Sequence, residues 1–419
     1  MEVLQDTYKD TKIGRIPKDW NTLKINQVAD CYGGTTPSTV VEEYWNGDIL
    51  WATPSDITKN KSEYLLNTSR KITEQGRASK NLRFVKKNGL LMTSRASIGF
   101  LNISNGDVVT NQGFINIECK DNFHYKFFYY WVLDNRKKLL SLSQGSTFLE
   151  LYRKTFAKIS IPTPPLPEQQ KIADILSTVD EQISTTEKII EKSKELKKGL
   201  MQKLFAEGIG HTEFKDTKIG RIPKDWEFLK IGDFSNVQRG ASPRPIKDVR
   251  YFSDKGRGWI RIADVSKSYK YLTKTTQYLS ELGSSKSRIV NEGDIIMSIC
   301  GSIGKPIIIG IPSCIHDGFV LFSKFQHKML PEYLYYFLYF MEKYYIGKGQ
   351  EGTQKNLNTS IVKSTKLGLP PLPEQQKIAA ILSEADAKIE KEQTQKAQLE
   401  ALKKGLMQQL LTGKKRVKV

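Results

Sequence analysis

The sequence predicts a mixed α/β chain in which two globular domains are separated by two long antiparallel coiled-coil helices, related by a pseudo-twofold internal repeat. Three observations predict it. The chain repeats itself at an offset of 206 residues, as from Ile13 to Ile219. Each copy ends in a stretch without interior proline whose apolar residues recur every three or four positions, the spacing of a helix burying one stripe. Ahead of that stretch, each copy holds short apolar runs bounded by glycine and proline, which read as strands.

Residues 8–25, YKDTKIGRIPKDWNTLKI, return as FKDTKIGRIPKDWEFLKI at 214–231. PLPEQQKIADILS at 165–177 returns as PLPEQQKIAAILS at 371–383, and LKKGLMQKL at 196–204 as LKKGLMQQL at 402–410. Between these blocks the copies diverge, and residues 26–160 and 232–366 share only landmarks such as Ser97-Ile98-Gly99 with Ser302-Ile303-Gly304. A recent duplication would leave similarity spread evenly. The mosaic instead implies preserved parts that face something used twice and diverged parts that face two different things. Lys9, Asp10, Lys12, Arg15, Lys18 and Asp19 all recur in the second copy, and such residues rarely sit in cores. Recurrent surface chemistry points to a recurrent partner, with Lys12, Arg15 and Lys171, and their counterparts Lys218, Arg221 and Lys377, as candidate docking residues.

The strand-like runs are Ile49 to Thr53, Gly89 to Thr93, Phe114 to Glu118, Gly258 to Ile262, Asp294 to Ile299 and Pro306 to Ile311. Tyr125 to Leu133 and Pro331 to Tyr345 read as aromatic-rich helices packed on those strands. Pro-Glu-Gln-Gln then opens each long helix, with proline suited to the first turn and Glu168 favoured near the positive end of the helix dipole. The expected stripes include Ile172, Leu176, Leu196 and Leu204 in the first copy and Ile378, Leu382, Leu402 and Leu410 in the second. At 1.5 Å per residue each helix reaches roughly 55–60 Å. A lone helix must bury its stripe, and the other copy is the cheapest partner. Gly199 and Gly405, inside these helices, mark either a close helix approach or a kink.

Lysine and arginine number 65 against 45 acidic residues, a formal net charge of +20. A polyanion is the natural partner for that charge, because each neutralised phosphate releases counterions. The first ten residues show no signal-peptide core, and the apolar run Tyr333 to Met341 is far short of the ~20 residues that cross a bilayer. Four cysteines without CxxC spacing fit a reducing, cytoplasmic setting. Catalytic equipment is absent. Gly301-Ser302-Ile303-Gly304-Lys305 has only two residues between its glycines, so it is no phosphate loop. The four histidines show no metal-ligand spacing, and the Pro-Pro pairs lie in TPPLPE and LPPLPE rather than in a methyltransferase motif.

Polar and basic residues at loop-like positions are candidate DNA contacts. They are Gly34, Thr35, Thr36, Ser38, Lys59, Arg77, Arg95, Gln112, Ser146 and Thr147 in the first copy. In the second they are Arg239, Gly240, Ser242, Arg244, Arg261, Lys267, Lys305 and Gln354. Arginine suits guanine O6/N7, glutamine suits adenine N6/N7, and lysine holds phosphate.

IGRIPKDW before each diverged region, with PLPEQQKIA-ILS and a long helix ending LKKGLM after it, resembles the specificity subunit of Type I restriction–modification systems. The likeness spans essentially the whole chain. It implies target-recognition domains over residues 1–163 and 207–369, each reading half of a split DNA site. Helices over 164–206 and 370–419, the latter with a basic tail, would set the gap between the halves. It further implies docking of two modification subunits, which bind S-adenosylmethionine and methylate adenine, and it allows restriction subunits. This chain would itself carry no cofactor and no catalytic or metal site. Gly34 to Ser38 and Gly240 to Arg244 are then DNA-facing loops. Two readings remain beside it: a single-chain methyltransferase or nuclease with its own recognition domains, and a coiled-coil scaffold that does not bind DNA.

Overall fold

The computed structural model describes residues 7–145, 149–326, 328–349 and 357–418. The chain is mixed α/β and forms two compact units, one from residues 1–187 with 394–419, the other from residues 188–393. The unit boundaries fall inside both long helices, Leu166–Glu207 and Leu372–Leu410. Each unit therefore owns half of each helix.

In the first unit a hairpin pairs Tyr8–Thr11 with Gly14–Pro17, and Asn21–Lys24 pairs antiparallel with Ser160–Thr163. A five-stranded sheet follows, in the order Ala29–Tyr32, Phe114–Cys119, Leu90–Thr93, Leu101–Ser104, Tyr64–Leu65. A smaller sheet sets Trp45–Ala52 between Val108–Thr110 and Arg70–Ile72. The second unit repeats this topology in Asn236–Arg239, Phe319–Ser323, Ile295–Ser298, Pro306–Ile309 and Tyr271–Leu272. Its other sheet keeps the parallel pair, here Arg257–Ile260 with Ser313–Ile315, and adds edge strands. The strands expected from apolar runs all form, each within a few residues of the expected limits. Gly258 to Ile262 stops at Ile260, because Ile262 already opens the short helix Ile262–Lys267.

The aromatic segments are the helices Tyr125–Asp134 and Pro331–Phe340, the latter followed by Glu342–Lys348. Their rings are core: Phe127, Phe128, Tyr130, Tyr333 and Tyr336 are fully buried. In the first unit these rings cluster with Ile172 and Leu176 of one long helix and Met407, Leu410 and Leu411 at the end of the other. In the second, Met201, Leu204 and Phe205 meet Ile378 and Leu382 in the same way. The helix halves run antiparallel, since Asp180 pairs with Lys403 at 2.6 Å while Glu187, further along, pairs with the earlier Lys396 at 2.8 Å.

Two expectations for the stripe need correction. Leu196 and Leu402 are 61% and 50% exposed instead of buried. A two-helix seam is narrow, and the seam positions here fall on Thr186, Ile190, Ser193 and Lys197, which are buried. Lys197 is satisfied by Asp386 at 2.5 Å, as a buried ammonium must be. A Cβ at Gly199 or Gly405 would meet open space, so neither glycine serves a close helix approach.

Candidate nucleic-acid interface

In the first unit three loops converge. Gly34 follows the strand Ala29–Tyr32, and a Cβ there would lie 2.0 Å from the Thr110 carbonyl oxygen. No larger residue fits without moving backbone. The Thr35 amide donates to that same oxygen at 2.9 Å, and Trp51 Nε1 donates to the Thr35 carbonyl. Thr36 Oγ1 donates to Gln112 Oε1 at 2.7 Å, and Trp45 Nε1 donates to the Ser38 carbonyl. The Ser94 amide reaches Gly113, which brings exposed Arg95 to the same rim, where it pairs with Glu150 at 2.9 Å. Lys59, the last residue of the helix Pro54–Lys59, is exposed. Arg77 is engaged internally, by Glu74, by the Leu82 carbonyl and over the Phe84 ring. Ser146 and Thr147 lie outside the described residues.

The second unit keeps the scaffold and changes the chemistry. A Cβ at Gly240 would lie 2.0 Å from the His316 carbonyl oxygen, the counterpart of Thr110. Where Gln112 stood, Asp317 now accepts from Ser242 Oγ at 2.8 Å and pairs with Arg244 at 2.9 Å, and its carbonyl takes Arg239 Nε. Burial works to raise the Asp317 pKa, but the Ser242 hydroxyl and the Arg244 guanidinium hold it below the ordinary value. Burial, then the charge of Arg261, depresses His316 to about 4, and its Nδ1 accepts the Gly318 amide at 2.9 Å. Arg261 caps the helix Ile262–Lys267, and both of these basic residues are exposed. Lys305 is half-buried and acts on Glu342 rather than on this loop cluster. Gln354 lies outside the described residues.

The preserved blocks build a second surface. Lys12 and Arg15 on the first hairpin, and Lys171 on the first long helix, are exposed, as are Lys218, Arg221 and Lys377 in the second unit. The hairpin side is fastened to the helix start by a buried carboxylate. Glu168 accepts Trp20 Nε1 at 2.9 Å and Arg416 Nε at 2.7 Å, and Arg416 also grips Asp19. In the second unit Glu374 accepts Trp226 Nε1 at 3.0 Å, the Ile209 amide and His211. Among the described residues no group of histidine, cysteine or carboxylate side chains could hold a metal ion, and no helix is long and apolar enough to cross a membrane.

The model of the Type I restriction modification DNA specificity domain matches the chain twice, over residues 17–195 and 223–401. The chain belongs to that family. Its two matches begin just before the two tryptophans, Trp20 and Trp226, and each ends within a long helix. Among relatives of this specificity-family chain, the Type I restriction enzyme MjaIX specificity subunit of Methanocaldococcus jannaschii is 32% identical over 98% of this chain and 96% of its own. The MjaVIII specificity subunit of the same organism is 29% identical over 99% and 97%. Two solved structures share the fold at 15% identity. The S subunit of a Type I system from M. genitalium gives a TM-score of 0.57, covering 93% of this chain and 96% of its own. A chain from a structure of type I R-M complex assembly and conformational transition gives 0.62, covering 95% and 99%.

Reading by residue type missed what joins each recognition domain of this family member to its helices. Tyr130 donates to Asp180 and stands beside Ser177, while Lys403 from the other long helix completes the cluster. Tyr336, Ser383, Asp386 and Lys197 repeat it. All four recur at the repeat offset, and that recurrence was the signal. The lysine on the serine comes from different places, Lys126 in one unit and Lys270 in the other, so no alignment of the copies would have matched it.

Proposed function

We propose that this chain is the non-catalytic DNA-specificity subunit of a Type I restriction–modification complex, acting in the cytoplasm. Its recognition domains, residues 1–163 and 207–369, each read one half of a bipartite duplex site through the loop clusters at Gly34 and Gly240. The helices over 164–206 and 370–419 set the gap between the halves. Two modification subunits dock on the repeated surface of Lys12, Arg15 and Lys171, and on its twin of Lys218, Arg221 and Lys377, while the exposed Leu196 and Leu402 each add a separate apolar contact. Those subunits bind S-adenosylmethionine, flip the target adenine and methylate it. This chain supplies register and binding energy.

One observation carries the reading. The same glycine-on-carbonyl scaffold occurs twice, at Gly34 with Thr110 and at Gly240 with His316, yet it presents Thr36 with Gln112 in one unit and Ser242, Arg244 and Asp317 in the other. Shared scaffold with unlike edges is what two different half-sites require. Mapping methylated adenines in a host that expresses the chain with its modification partner should show one bipartite motif. Replacing residues 26–160 by another such domain should change one half of it. A change in both halves would refute the modular reading, and S-adenosylmethionine bound by the purified chain alone would restore the single-chain enzyme.

A further inference from the structure

Within the second unit a cleft of about 1400 Å³ opens between the recognition domain, the aromatic helix Pro331–Phe340 and the halves of the two long helices. Seven lysines and four carboxylates line it, and no arginine does. Lys197 is held by Asp386 and Lys270 by Ser383 Oγ at 2.8 Å, so these two serve the walls. Lys198, Lys267, Lys274 and Lys343 are exposed and form no ion pair among the described residues. Tyr269, 58% exposed, adds a free-standing phenol to the lining.

Of the two basic side chains, only lysine lines the cleft. Arg239, Arg244 and Arg261 stand at the loop cluster around Asp317 and His316, and lysine alone fills the cleft. Arginine presents a planar fork that can read a guanine edge, whereas the lysine ammonium is a point charge suited to phosphate. Tyrosine hydroxyls also serve phosphate contacts. We propose that the cleft holds the sugar–phosphate backbone of duplex DNA irrespective of sequence, an inference that rests on the DNA reading above.

Recurrence supports it. Lys267 closes the helix Ile262–Lys267 as Lys59 closes Pro54–Lys59, while Lys343 and Lys198 recur at the repeat offset as Lys137 and Lys404. All three counterparts are exposed. Lys59 and Lys137 lie in the stretches where the copies otherwise diverge. A charge kept there answers to a feature common to both half-sites, and the backbone is that feature.

The test uses the full-length chain and a mixed-sequence duplex, with affinity followed by fluorescence anisotropy across a salt series. Wild type should show a steep fall of affinity with salt. Lys267→Ala/Lys274→Ala/Lys343→Ala should melt as wild type does. Its log–log salt slope should shrink by about 0.9 for each phosphate that these lysines neutralise in wild type, close to 2–3 in all. The loss should be equal for duplexes of unrelated sequence. Lys59→Ala/Lys137→Ala/Lys404→Ala should shrink the slope in the same direction. A wild-type slope retained by the first variant overturns the cleft assignment alone. So does a variant that binds DNA normally but fails to co-purify with its methyltransferase partner, which makes the cleft a protein-binding groove. A wild-type chain with no salt-dependent binding overturns the DNA reading itself.

Discussion

Gly34 shows how one missing methyl group organises a loop. Because a Cβ there would sit 2.0 Å from the Thr110 oxygen, Gly34→Ala must push the loop away from the strand end. The expected cost is about 1–3 kcal/mol of stability, read by thermal melting, with weakened recognition of the first half-site only. Unchanged melting would show that the loop absorbs the methyl freely. His316 gives a pH signature. Its folded pKa of about 4 lies below the unfolded value of about 6.5, so the unfolded chain takes the proton first. Stability from this group is complete above pH 6.5 and is lost as pH falls from there toward 4. The protonated ring can no longer accept the Gly318 amide. Denaturant melts across that window should show the loss in wild type and a flatter curve in His316→Asn. An equal slope in both would move the effect to another group.

The long helices are the elements whose behaviour departs most from their pattern. Glycine inside an exposed helix costs roughly 0.5–1 kcal/mol relative to alanine, and neither Gly199 nor Gly405 has a neighbour that a Cβ would strike. Gly199→Ala and Gly405→Ala should therefore each raise the Tm of the isolated chain. A fall in Tm would mean that the helix bends there. Leu196 and Leu402 stand exposed beside these glycines in the same repeated motif. Leu196→Asp with Leu402→Asp should leave the fold intact and abolish co-purification with the modification subunit; normal assembly would remove these residues from the docking surface. Spacing made the helices legible, because a 3.6-residue period needs only local sequence. Which turns of the stripe would be buried was not legible, since that depends on how many neighbours surround each turn. A wide core covers Ile172 and Leu176, while the seam beyond buries Thr186, Ile190 and Ser193 and leaves Leu196 outside.

At the scale of the whole molecule, the first unit is assembled from two distant parts of the chain. Residues 394–419 belong with residues 1–187, and Arg416 locks that association through Glu168, only 2% exposed, and Asp19. Removing one partner of a buried carboxylate leaves its charge undersatisfied. Arg416→Met should destabilise the first unit by about 1–3 kcal/mol and spare the second, where His211 holds the equivalent Glu374. Hydrogen exchange resolves the two units, and equal loss of protection in both would refute the separate locks. The sequence presented Arg416 as one residue of a basic tail. Its role became visible only when the end of one helix lay against the start of the other copy.

What the sequence alone determined was the doubling, the α/β class, six of the strands with the aromatic and long helices, and the family. Each follows from local period or from identity at a fixed offset, which a linear string carries in full. Tertiary structure decided which charges are spent on the fold and which are left for a ligand. Arg77, Lys197 and Arg416 look the same in the string as Lys267 or Lys274, yet the first three face carboxylates and the others face an open cleft. The difference is electrostatic, and it is set by neighbours brought together only when the chain folds.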